Sequence, residues 1–127
     1  MKLSTEGLKN QQEWLEKGYH LPQYDRAAMI AETRENPVWV HFGAGNIFRE
    51  FQANLAQRLL EEGSAKAGIT VCEGFDYEIV EKQYRPHDDL SVLVTLKADV
   101  ETFARNAVAL HLEVAKQRRL LLRHTHE

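Results

Sequence analysis

The residues of this 127-residue chain best placed to do chemistry are two glycines and one acid. Gly43-Ala44-Gly45-Asn46 follows the apolar run Val38-Trp39-Val40-His41-Phe42 and precedes Ile47, Phe48, Phe51, Leu55, Leu59 and Leu60, which recur at helical spacing. A buried strand, a Gly-x-Gly turn and a helix form the arrangement that holds a dinucleotide pyrophosphate. The first glycine permits the tight turn. The second lets backbone approach the phosphates without a Cβ in the way. Amide groups left unpaired at the helix start then face the anion. The third glycine of the usual fingerprint is absent, and Phe48 stands in its place. A second strand, Ala67 to Cys72, ends at Glu73, which follows Gly45 by 28 residues. A carboxylate there can accept hydrogen bonds from an adenosine ribose, which favours NAD over NADP. The interval exceeds the usual spacing of about 20 residues because the helix from Asn46 to Glu62 is long.

Other reactive side chains carry less. His87-Asp88-Asp89 has the chemistry of metal ligands, but three adjacent residues do not easily converge on one ion, and a solvated loop is expected. His111, His124 and His126 lack a carboxylate or cysteine partner at ligand spacing, so no metal site is expected. Cys72 reads as a small buried apolar residue, since nothing near it in sequence would lower its pKa. As the single cysteine it excludes an internal disulfide and suits a reducing cytosol.

The formal net charge of -3 gives no overall basic field for nucleic acid or an anionic membrane. No apolar run approaches the roughly 20 residues that span a bilayer, and the Met1 end lacks a signal-peptide core. The expectation is a single-domain cytoplasmic protein.

Around the glycine turn the pattern predicts an α/β fold, a partial Rossmann unit of about three strands. Residues 1–36 form an N-terminal helical segment, 37–99 the Rossmann unit and 100–127 an amphipathic helix with a basic tail. A first helix begins near Glu6, capped by Ser4 or Thr5 and ended by Gly18. His20 to Tyr24 is a connector, and a second helix runs from Arg26 to about Arg34, closed by Asn36-Pro37. Asp76 to Gln83 reads as a short helix and Ser91 to Leu96 as a third strand. Phe103, Ala107, Leu110 and Val114 step by four, three and four, which predicts a helix over 100–122. An edge of so small a sheet left open would invite self-association.

The stretch His41 to Arg49 resembles the cofactor loop of the mannitol dehydrogenase family, which includes fructuronate, tagaturonate and mannonate oxidoreductases. The likeness extends over Leu21 to Arg26, Glu73 to Tyr77, Tyr84 to Asp89 and Val94 to Asp99. That family's loop tolerates a bulky residue at the position of Phe48. The resemblance implies that Gly43, Ala44, Gly45, Asn46 and Ile47 wrap the pyrophosphate, that Arg49 belongs to the same loop, and that Glu73 meets the ribose of NAD. It also implies metal-free hydride transfer on a polyol or keto sugar acid, with a lysine base, an asparagine and a histidine in a later helical domain. Nothing after Asp99 resembles that domain. The expectation is therefore an NAD-binding portion without catalytic residues. The rival is a non-catalytic product, either that of a truncated gene, as a frameshift near Asp99 would give, or an interaction module whose last helix covers a sheet edge.

Overall fold

Asp25 opens the second helical stretch because its carboxylate accepts the Ala28 N–H at 3.0 Å, and Asn36, ahead of Pro37, ends it. The resulting helix is Arg26–Glu35, within a residue of its expected length. The computed structural model describes residues 1–95 and 104–109. In chain order the helices are α1 (Gln11–Glu16), α2 (Arg26–Glu35), α3 (Asn46–Glu50), α4 (Gln52–Glu61) and α5 (Tyr77–Ile79). The strands are β1 (Tyr19–His20), β2 (Val40–Phe42), β3 (Thr70–Cys72), β4 (Leu90–Thr95) and β5 (Ala104–Ala109).

The strand–turn–helix–strand core is where the glycine pattern places it. β2 and β3 pair in parallel, Val40 opposite Thr70 and Phe42 opposite Cys72. Ala44, Phe48, Ala53, Ala56, Ile69, Val71 and Tyr84 form the buried cluster beneath them, with Trp39, Ile79 and Leu93 packed against it. The helix expected from Asn46 to Glu62 breaks at Phe51, whose φ of -106° and ψ of -75° separate α3 from α4. The first helix also begins later than its apolar residues suggest. Ser4 Oγ accepts the Gly7 N–H at 3.0 Å, which closes a 3-10 turn over Gly7–Lys9 before α1 begins. Trp14 is buried there, its Nε1–H donating to the Gly7 carbonyl at 2.9 Å, and Gly18 ends the stretch at φ +79°.

Two expectations about the sheet are corrected. The third strand, β4, does not extend the β2–β3 pair but lies in a second sheet of order β1-β5-β4. Residues 104–109, expected within a helix over 100–122, are strand β5, antiparallel to β4 from Leu90–Ala109 to Thr95–Ala104 and parallel to β1. The segment Ala-Arg-Asn-Ala-Val-Ala has only a weak local preference. Backbone pairing with two strands that would otherwise present open edges outweighs it. The connector His20 is likewise drawn into β1 by that pairing. Phe103, Leu110, Val114 and the basic tail lie outside the described residues.

The N-terminal segment is tied to this unit by polar contacts. Thr33, 1% exposed, donates from Oγ1 to the Met29 carbonyl and accepts the Gly68 N–H, each at 2.7 Å. Thr33→Val keeps the volume but leaves the Gly68 N–H without an acceptor. It should cost about 1–3 kcal/mol, read as a lower urea midpoint. An unchanged midpoint would mean that water replaces the hydroxyl.

At the other end, the Thr5 N–H donates to Asp88 Oδ2 at 2.9 Å, and Arg26 donates to Thr5 Oγ1 at 2.7 Å and to the Asp88 carbonyl at 3.0 Å. Asp88 and Asp89 both take left-handed backbone, with φ of 50° and 59°. Burial pushes the Asp89 carboxyl up to about 6, with Arg26 opposing and the charge of Asp88 adding to the rise. A raised native pKa means that the folded chain binds this proton more tightly than the unfolded one. The group's contribution to stability therefore grows as pH falls from about 6 toward the ordinary aspartate value. Asp89→Asn should remove that increment. On going from pH 7.5 to 5 the urea midpoint of the wild type should therefore rise relative to that of the variant, and identical changes in both proteins would contradict the assignment.

Candidate dinucleotide site

The turn between β2 and α3 is built residue by residue. Gly43 has a φ of +102°, a region that side chains with a Cβ rarely enter, and its N–H donates to the Cys72 carbonyl at 2.8 Å, one step beyond the strand pairing. Ala44 is fully buried. Its N–H donates to Glu73 Oε2 at 3.0 Å, and its carbonyl accepts the Tyr84 hydroxyl and, at 3.3 Å, Arg49 Nη1. Gly45 caps α3 in extended conformation, φ -78° and ψ -171°. A Cβ added to Gly45 would meet no atom within 4 Å, so the space it faces is open. Asn46 and Ile47 follow on the exposed side, while Phe48 turns inward and stacks on His41 with ring centres 4.7 Å apart.

Arg49 is fixed from several directions. Its Nη2 donates to Asn46 Oδ1, and its guanidinium lies over the Tyr84 ring, 5.4 Å from the centre. Tyr84 itself is fully buried, and that burial pushes its hydroxyl pKa up, with Arg49 opposing. The phenol therefore stays a hydrogen-bond donor at neutral pH.

Glu73 is brought to the turn by β3, but its carboxylate points inward and is 7% exposed. Oε1 accepts the N–H groups of Phe75 at 3.0 Å and Asp76 at 3.3 Å, while Oε2 takes Ala44. Burial alone would raise its pKa. The backbone amides of Phe75, Ala44, Asp76 and Gly74 outweigh that and hold it below the ordinary range, so the acid is ionised. Amides from both sides of the turn thus engage both carboxylate oxygens. Beside the turn, Asn46, Arg49, Asp76, Glu78, Lys82 and Gln83 line a polar cleft of about 470 Å³.

All the residues singled out from sequence thus meet: Gly43, Ala44, Gly45, Asn46, Ile47, Arg49 and Glu73 surround one turn. Two participants were not foreseen. Tyr84 carries no spacing signal, although it lies in a stretch with family likeness. Asp76, expected as the first residue of a short helix, instead caps α5, accepting the Ile79 N–H at 3.2 Å. Of the residues set aside, Cys72 is buried with its thiol pKa pushed up by burial, and His87 Nδ1 lies 3.1 Å from the Leu3 carbonyl. Among the described residues no three His, Cys, Asp or Glu side chains converge on a metal-sized site, and no helix is long and apolar enough to cross a membrane.

The described architecture is a mixed helix–strand unit of Rossmann type. It matches the solved Pseudomonas fluorescens mannitol 2-dehydrogenase, a ternary complex with NAD and D-mannitol, at a TM-score of 0.69 and 18% identity, over 91% of this chain and 22% of that one. In sequence the chain is 44% identical over 116 residues to the D-mannonate oxidoreductase of Thermotoga maritima, which covers 91% of this chain and 21% of the relative. No family model matches. The matched stretch belongs to the mannitol dehydrogenase family, of whose sequence the chain carries a part. It spans about a fifth of the length of the relatives it matches.

Proposed function

We propose that this chain binds NAD(H) over the Gly43–Ile47 turn, as the cofactor-holding portion of an oxidoreductase acting on a polyol or keto sugar acid. The observation that carries the reading is the open space at Gly45, directly after the fully buried Ala44. A pyrophosphate needs that close backbone approach, and the amides entering α3 face it. Asn46, Ile47 and Arg49 border the same space. When bound, NAD would supply hydride transfer; the residues of this chain bind and orient it.

Glu73 enters in two ways. It holds the turn through Ala44, and its ionised carboxylate is the acceptor that a ribose hydroxyl would meet at the end of β3. Its charge, with that of Asp76 on the same loop, opposes a 2′-phosphate. The chain should therefore bind NADH more tightly than NADPH, and Glu73→Ala should weaken NADH while narrowing the ratio. Fluorescence titration with both cofactors checks this, and equal wild-type affinities would contradict it. Self-association through β2 is a second reading, supported by the exposure of Val38 (79%), Val40 (49%) and Phe42 (62%).

A further inference from the structure

The two peptide groups that flank Ala44 are each held by a side chain from a distant part of the sequence. Glu73, from the end of β3, accepts the N–H on one side. Tyr84, 40 residues along the chain from Ala44, donates to the carbonyl on the other, and Arg49 reinforces that bond while stacking on the same ring. Ala44 and Tyr84 are both fully buried. Gly43 is tied to the Cys72 carbonyl through its N–H, but Gly45 faces open space, so the glycines alone do not fix the peptide plane between Ala44 and Gly45.

We infer that Tyr84 is a positioning residue for dinucleotide binding, its hydroxyl setting the Ala44 carbonyl, and hence the Gly45 amide plane, in the orientation that meets a pyrophosphate. The carbonyl of Ala44 and the N–H of Gly45 belong to one planar peptide unit, so fixing one end aims the other. Arg49 shares the task from the outer face of the ring. The phenol's body fills the core beneath the turn, and only its oxygen reaches the backbone. Removing the oxygen therefore leaves packing in place and frees the peptide plane.

This inference rests on the NAD(H) reading above, and the test separates the two. Calorimetric affinities are measured for NADH, ADP-ribose and AMP with wild type, Tyr84→Phe and Arg49→Lys. NADH and ADP-ribose carry the pyrophosphate; AMP does not. Loss of one hydrogen bond predicts about five- to tenfold weaker NADH and ADP-ribose binding in Tyr84→Phe, with AMP changed less than twofold. Arg49→Lys, which loses the fork but keeps the charge, should show the same pattern at smaller size, and it serves alone if Tyr84→Phe does not fold. Wild-type affinity for all three ligands in the variants, or an equal loss on all three, would overturn the positioning role while leaving the NAD(H) reading intact. A wild-type chain that bound neither NADH nor ADP-ribose would remove both.

Discussion

Gly45→Val should abolish NADH binding, by a hundredfold or more, while leaving the fold unchanged. The φ of -78° at Gly45 is open to any residue, and a Cβ there meets nothing within 4 Å, so the protein itself has no objection to valine. The objection comes from the ligand. A branched side chain would occupy the space through which a pyrophosphate reaches the turn. Losing two charge-assisted hydrogen bonds to backbone amides, at about 1.5–3 kcal/mol each, corresponds to roughly 10²- to 10⁴-fold in affinity. Calorimetry gives the affinity, and a melting curve shows that the variant stays folded. Equal NADH affinity in a folded Gly45→Val chain would show that the cofactor, if bound, lies elsewhere.

Phe48→Gly should do the reverse and destroy the fold. On the fingerprint alone it looks like a repair, since glycine is the residue dinucleotide folds usually carry there for close helix–strand contact. In this protein Phe48 is 3% exposed, stacks on His41 and belongs to the core cluster with Ala44, Ile69, Val71 and Tyr84. Its removal opens a cavity costing about 3–5 kcal/mol, and glycine inside a helix adds about 1 kcal/mol. Domains of this size have only about 5–15 kcal/mol in total. Circular dichroism should find the variant unfolded, or close to it, at 25 °C. A variant as stable as wild type would mean that the helix can settle onto the strands without the ring.

These two positions show what the sequence could and could not reveal. The order of strand, glycine turn, helix, strand and acid was legible because each step is local: β-rich runs, glycines without Cβ, and apolar residues at helical spacing. The break at Phe51 was not, since one residue of altered backbone barely shifts a helical period, and Phe48 and Leu55 continue the pattern across it. Strand β5 was hidden for the opposite reason. The alanines of Ala104–Ala109 fit a helix locally, and it is pairing with β4 and β1 that makes them a strand. Glu73 was identifiable by type and place, but its inward turn depends on amides contributed by Ala44, Phe75 and Asp76, which no spacing rule reports. Tyr84 illustrates the same gap, because a tyrosine 40 residues from the turn it grips has no local signature.

The most direct test of the central claim is to follow backbone amide resonances while NADH is added to the intact chain. Binding over the glycine turn predicts that the largest shifts fall on Gly43, Ala44, Gly45, Asn46 and Ile47. Smaller shifts are expected at Glu73, Gly74, Phe75 and Asp76, with α2 and the buried Trp14 unmoved. Saturating NADH that leaves the turn unshifted, or shifts centred on another surface, would contradict the account.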